Sequence, residues 1–181
     1  MFTIKVVEAF SERTLKDILK VYFAGMPWHF ANAEDYFREM LAAADNINIL
    51  SYDDDDNKPV AYLLGKPQDL AAQDKELTNA DPEFKSDPER FYIETMEMIP
   101  EVQKSLAGGK LYMRMSYAML EEVLKRGKIK FSMHARIDTG LSKAFRRHWG
   151  RMVTDSRVIE KWPFYGYKEA TEYLEAEYKK H

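Results

Sequence analysis

Strand-like and helix-like stretches alternate along the chain, and that alternation predicts a single mixed α/β domain. The composition supports it. Hydrophobic residues make up 45% and charged residues 31% of 181, a globular balance with apolar surface enough for one core. No internal repeat or low-complexity linker divides the chain, so residues 1–181 read as one domain.

Each element has its own local reason. Phe2–Val7 is apolar and β-branched and reads as a strand. Ser11 is an N-cap for a helix running to about Ala24, with Leu15, Ile18, Leu19 and Tyr22 on one face, and Gly25-Met26-Pro27 breaks it. A second helix starts near Asn32 or Ala33 and carries Tyr36, Phe37, Met40 and Leu41. Ile47–Tyr52 and Pro59–Leu64 form a hairpin around Asp53–Asn57. The four aspartates there lack the spaced ligands and distal Glu of a calcium loop, so they read as a solvated tip.

Lys66–Arg90 is polar and contains three prolines; it reads as an inserted flap with one short helix near Leu70–Leu77. Phe91–Ile99 is a strand. A long helix runs from Gly108 or Gly109 to about Arg126, with Leu111, Met115, Ala118, Met119 and Val123 at helical spacing and Gly127 as its C′ residue. Lys128–Ile137 alternates as a strand, and Gly140–Trp149 is a short basic helix stopped at Gly150. Two strands, Met152–Ile159 and Phe164–Tyr167, and an amphipathic helix over Lys168–Tyr178 complete the expected order.

Composition also excludes classes of function. The chain has no cysteine, which removes disulfides, thiolate metal sites and thiol nucleophiles. No metal site is expected. No basic stretch followed by an apolar run opens the sequence and no stretch approaches a membrane span, so the expected compartment is the cytoplasm, with no membrane partner. Net charge is −3, but between Asn32 and Glu101 there are 18 acidic against 6 basic side chains, while Lys125–Arg151 holds nine basic against one acid. Such a division suits an anionic ligand on one side and a cationic one on the other. The net acidity disfavours nucleic acid.

The segment that carries chemistry is Met98-Ile99-Pro100-Glu101-Val102-Gln103-Lys104-Ser105-Leu106-Ala107-Gly108-Gly109-Lys110-Leu111. A strand that passes through a small turn into a helix leaves amides without internal partners, aimed at one spot and assisted by the helix dipole. That is an anion site of the kind that holds a pyrophosphate. The spacing resembles the acetyl-CoA signature of the GNAT (Gcn5-related N-acetyltransferase) superfamily, hydrophobic-x-Pro-x-x-[Gln/Arg]-x-x-Gly-x-[Gly/Ala]-x-x-Leu. Met98, Pro100, Gln103, Gly108 and Leu111 fill its positions, and Leu106 stands where the family has its first glycine. In the family's closing element an Asn opens a helix and a Tyr precedes a Gly-Phe pair; here Thr139, Arg146 and Gly150-Arg151 stand near those places.

The resemblance implies a mixed, mostly antiparallel twisted sheet of about six or seven strands flanked by helices, and acetyl-CoA as cosubstrate. It assigns the Met98 backbone to the pantetheine arm. Backbone amides of Gln103, Lys104, Ser105, Leu106, Ala107 and Gly108, with Gly109 beside them, fall to the pyrophosphate, and Lys104 and Lys110 to the 3′-phosphate. It further implies transfer of an acetyl group to a primary amine, for which the acidic Asn32–Glu101 region favours a cationic small-molecule or protein acceptor. An ammonium acceptor must lose a proton before it attacks. Glu94, which shares strand parity with Met98, and His134 are the candidate bases. Glu97 falls on the opposite face unless a bulge intervenes. Tyr112, Tyr117 and Tyr165 are candidate acids in place of the missing tyrosine, and Trp28-His29-Phe30 falls where the family shapes its acceptor pocket. The alternative reading is a catalytically inactive GNAT-like binding or structural protein, for which small phage-encoded acetyltransferase-like proteins are the comparison. Oligomeric state is left open.

Overall fold

The computed structural model describes residues 1–25, 31–137, 140–162 and 170–179. The strands are β1 (Phe2–Val6), β2 (Ile47–Asp53), β3 (Pro59–Pro67), β4 (Arg90–Met98), β5 (Lys130–Arg136), β6 (Val153–Ile159) and β7 (Thr171–Glu177). They form one mixed sheet in the order β1-β2-β3-β4-β5-β7-β6. The helices are α1 (Glu12–Gly25), α2 (Ala33–Ala42), α3 (Gln68–Ala71), α4 (Lys75–Ala80), α5 (Pro100–Gln103), α6 (Leu106–Lys125) and α7 (Leu141–Trp149). Two compact units result, Met1–Gly65 with Thr95–Val123 and Lys66–Glu94 with Leu124–His181.

In the first unit β1 and β3 both pair antiparallel with β2. The helix start predicted at Ser11 is there, with its hydroxyl accepting from the Thr14 amide at 3.1 Å. The apolar stripe of α1 (Leu15, Ile18, Val21, Tyr22) and that of α2 (Phe37, Met40, Leu41) close over Leu50, Tyr52, Tyr62 and Leu64. Phe37 is the hinge of this core, edge-on to Tyr22 at 5.1 Å and to Tyr62 at 5.5 Å. Burying a side chain of that size contributes roughly 1.5–3 kcal/mol.

In the second unit β4 and β5 run parallel, Phe91 opposite Phe131 and Ile93 opposite Met133. One face of β5 carries Phe131 against Phe145 and Trp149 of α7. The other face is covered by the insert. Residues 66–90 hold two short helices rather than one, because Asp74 caps the second of them, accepting from the Glu76 and Leu77 amides at 2.8 and 3.3 Å. Ala71, Leu77, Ala80 and Phe84 then pack on Tyr92, Tyr173 and Trp162.

The expected C-terminal helix is a correction: Thr171–Glu177 is a strand. Its Glu, Leu and Ala content favours a helix, but it pairs with β5 along one edge and β6 along the other, and its first four residues are all buried. Tertiary pairing overrides so weak a local preference. The strand expected over Phe164–Tyr167 lies outside the described residues.

Candidate functional site

The Met98–Leu111 segment lies in the first unit, and its turn is wound tighter than the sequence suggests. Pro100 opens α5 at a position where a proline costs no hydrogen bond. The amides of Val102 and Gln103 turn back onto the Ile99 carbonyl, that of Lys104 onto Pro100 and that of Ser105 onto Val102, all within 3.0–3.2 Å. Ser105 then caps α6, its hydroxyl accepting from the Gly108 amide at 3.1 Å. Because of this cap, α6 begins at Leu106, two or three residues ahead of its expected start.

The amides of Leu106 and Ala107 make no hydrogen bond to any described residue. They stand at the N-terminus of a helix of 20 residues, where the helix dipole adds partial positive charge. Of the six amides expected to face an anion, the turn itself uses four and leaves these two. Leu106 is 93% exposed, so its side chain fills no space in the fold. The two glycines have different jobs. A Cβ at Gly108 would lie 2.2 Å from the Val102 carbonyl oxygen, whereas one at Gly109 would meet nothing within 4 Å. Gly108 is therefore required by the packing of α6 on α5, and Gly109 keeps the approach to the helix end open. Lys104 and Lys110 are exposed nearby in sequence. At the end of β4, Met98 is buried, and its amide donates to Glu97 Oε1 at 3.0 Å. That contact occupies one backbone group assigned to the pantetheine arm. The Glu97 side chain also lies against the last residue of α1, so close that a Cβ on Gly25 would come within 2.6 Å of its Cγ.

The second unit holds the two candidate bases. Glu94 is paired with Lys66 at 3.0 Å, with side chains 9% and 17% exposed. His134 sits in an aromatic box. It stacks on Trp162 at 4.6 Å and touches Phe84 and Tyr173. Tyr92 Oη lies 2.9 Å from Nδ1 and Asp81 Oδ2 2.9 Å from Nε2. Arg157 bonds the same Asp81 oxygen and lies over the Tyr173 ring at 4.1 Å. Burial pushes the His134 pKa below its ordinary value, outweighing the opposing pull of Asp81. For Asp81 burial works upward, but His134 and Arg157 together hold the carboxyl below its ordinary value. The stable arrangement is a neutral imidazole between a phenol and a carboxylate. Sequence reasoning found His134 but neither Asp81 nor Trp162. Both come from segments with no strand or helix signal, and only the insert's fold brings them together.

Arg146, which the resemblance sets near the family's tyrosine, bonds Glu172 through Nε at 3.0 Å and Ser156 through a guanidinium nitrogen at 2.7 Å. Ser142 also donates to Glu172. Tyr112 is buried and Tyr117 is half-exposed. Tyr165, Thr139 and Trp28-His29-Phe30 lie outside the described residues.

A mixed sheet in this order, with a strand running through a capped turn into the longest helix, is the GNAT fold. Solved GNAT acetyltransferases superpose on the whole chain. The ribosomal-protein-S18-alanine N-acetyltransferase of Escherichia coli does so with a TM-score of 0.68 at 11% identity, covering 100% of this chain and 96% of its own. Aminoglycoside 6′-acetyltransferase type Ii gives 0.68 at 11%, covering 99% of each. The NatC complex bound to Gag peptide and CoA gives 0.64 at 12%, covering 98% and 99%. No family model and no curated protein matches the sequence. No helix among the described residues is long and apolar enough to cross a membrane.

Proposed function

We propose that the chain acts as a single acyltransferase domain in the cytoplasm, moving an acetyl group from acetyl-CoA to a primary amine. The observation that carries this reading is the pair of amides at Leu106 and Ala107, which bond no described residue, at the dipole end of α6 and beside a glycine with open space around it. The S18-alanine enzyme is an N-acetyltransferase, and the aminoglycoside enzyme is also an acetyltransferase. The acidic balance of Asn32–Glu101 suits a cationic one, whether a small molecule or a protein.

The reaction asks little of the protein. The ammonium gives up a proton, its nitrogen forms a bond to the thioester carbonyl carbon, the carbon–sulfur bond breaks, and the departing thiolate takes a proton. Glu94 is the proposed proton acceptor, held as an ordered carboxylate by Lys66. His134 is the weaker choice because both its ring nitrogens already have partners. Calorimetric titration with acetyl-CoA and with CoA tests binding, and no heat at millimolar ligand would end the proposal. Glu94→Gln is expected to lower turnover roughly 10²–10⁴-fold with cofactor affinity unchanged, and the lost rate should return as pH rises. A full rate at neutral pH would remove Glu94 from the mechanism.

A second reading, a non-catalytic GNAT-like binding module, is favoured by one contact. Arg146 stands near the tyrosine position and is committed to Glu172 and Ser156, so it supplies no proton to a thiolate.

A further inference from the structure

The first unit contains a polar concavity made of residues the acyl-transfer reading does not use. Arg13, Lys16 and Lys20 fall at i, i+3 and i+7 on α1 and so share one face of the helix. With Lys58 and Asn57 from the β2–β3 turn they line a cavity of about 410 Å³. At its floor is Asp17, whose side chain is 7% exposed. Its carboxylate accepts from the Tyr52 hydroxyl at 3.2 Å and from Lys20 at 3.2 Å, and Arg13 stands 3.9 Å away. The floor acid is therefore already satisfied by the fold and its own cations, and it holds two of them in place. The lining side chains carry four positive charges and that one negative, and Asp56 and Asp53 of the adjoining turn add negative charge beside Lys58. Lys58 is ion-paired with Asp56 at 2.6 Å, and Lys16 is exposed, close enough to Glu12 to act on its carboxylate. The volume lies within the range of small-ligand sites and is larger than a bare anion needs.

We propose that this concavity binds a small phosphate monoester, its dianionic phosphate received by Lys16, Lys58 and Arg13 and its organic part lying along Asn57 and Pro59. A phosphate displaces Asp56 from Lys58, so the site is a weak one whose occupancy falls as salt rises. It does not rest on the proposed acyl transfer: none of its residues lies in Met98–Leu111, and a failure there leaves it intact.

The test is an amide-resolved NMR titration of the full chain with glucose 6-phosphate, glucose, sulfate and sodium chloride at matched ionic strength. The expected result is saturable movement of resonances at residues 13–20 and 56–59 with the phosphate ester and none with glucose. Lys16→Glu with Lys58→Glu should weaken that binding about tenfold or more; both side chains are exposed, so the fold stays intact, as circular dichroism will confirm. Equal movement with sulfate and the ester identifies a site for simple anions and overturns the monoester assignment. Unchanged affinity in the double variant, or movement that instead centres on residues 104–110 and vanishes in Gly109→Trp, overturns the site itself.

Discussion

The start of α6 and the box around His134 treat polar groups in opposite ways. At the helix start, a capped turn satisfies four amides and leaves two facing outward. In the box, both imidazole nitrogens, the Tyr92 hydroxyl and the Asp81 carboxylate are joined in one chain enclosed by Phe84, Trp162 and Tyr173. A closed network fixes structure and gives a ligand nothing to bind. An exposed pair of donors contributes little to stability and is available to an anion. The comparison separates two kinds of substitution, those that should unfold the chain and those that should only empty it.

The largest expected effect is in the box. Asp81→Ala leaves His134 Nε2 without its carboxylate and leaves Arg157 only the looser approach to Glu83 at 3.8 Å, a loss of about 3–5 kcal/mol by the usual cost of breaking a buried pair, readable by urea denaturation. A loss below 1 kcal/mol would mean that water takes over, and the box is not closed. Next is the contrast between two adjacent glycines. Gly108→Ala drives a Cβ into the Val102 carbonyl and should cost roughly 1–3 kcal/mol. Gly109→Trp should change stability by about 0.5 kcal/mol or less yet abolish acetyl-CoA binding by calorimetry. Equal effects at the two positions would erase the distinction drawn here.

A smaller effect follows from acid. The folded pKa of His134 is lowered, so the unfolded chain takes up its proton first, near pH 6.5. Its contribution is complete above that value and is lost as pH falls through the window below it. Asp81, also lowered, adds a further loss as pH falls below the ordinary carboxylate range. The melting temperature should therefore drop between pH 7 and 5, with a shallower slope in His134→Gln. The smallest effect is at Leu106. Because its side chain touches almost nothing, Leu106→Gly should leave cofactor affinity unchanged or raise it a few-fold, as the amides become easier to approach. A large loss would show that the motif is registered on the wrong residues.

How much could be read beforehand differs between the same two regions. The α6 start was legible because its signals are local: Pro100, the small residues after it, and the leucine spacing. Even there, Ser105 as the cap was overlooked, and with it the distinction between amides used by the turn and amides left over. The box was not legible. His134 is separated from Asp81 by 53 residues, and nothing in a polar stretch with three prolines marks one aspartate as buried. Thr171–Glu177 misled for a related reason. Its residues fit two periodicities, and the choice between them is made by two strands elsewhere in the chain.

The position of β7 also sets a timetable for folding. Among the described residues the last strand is inserted between two made earlier, and β6 pairs with it alone, so β6 waits for residues 171–177 to leave the ribosome. Until then β5 presents an unpaired edge from Lys130 to Arg136, the situation in which nascent chains associate with one another. The interval before residues 171–177 emerge is thus the one in which a chaperone would matter most. A released chain truncated before residue 171 should bind holdases that residues 1–181 do not.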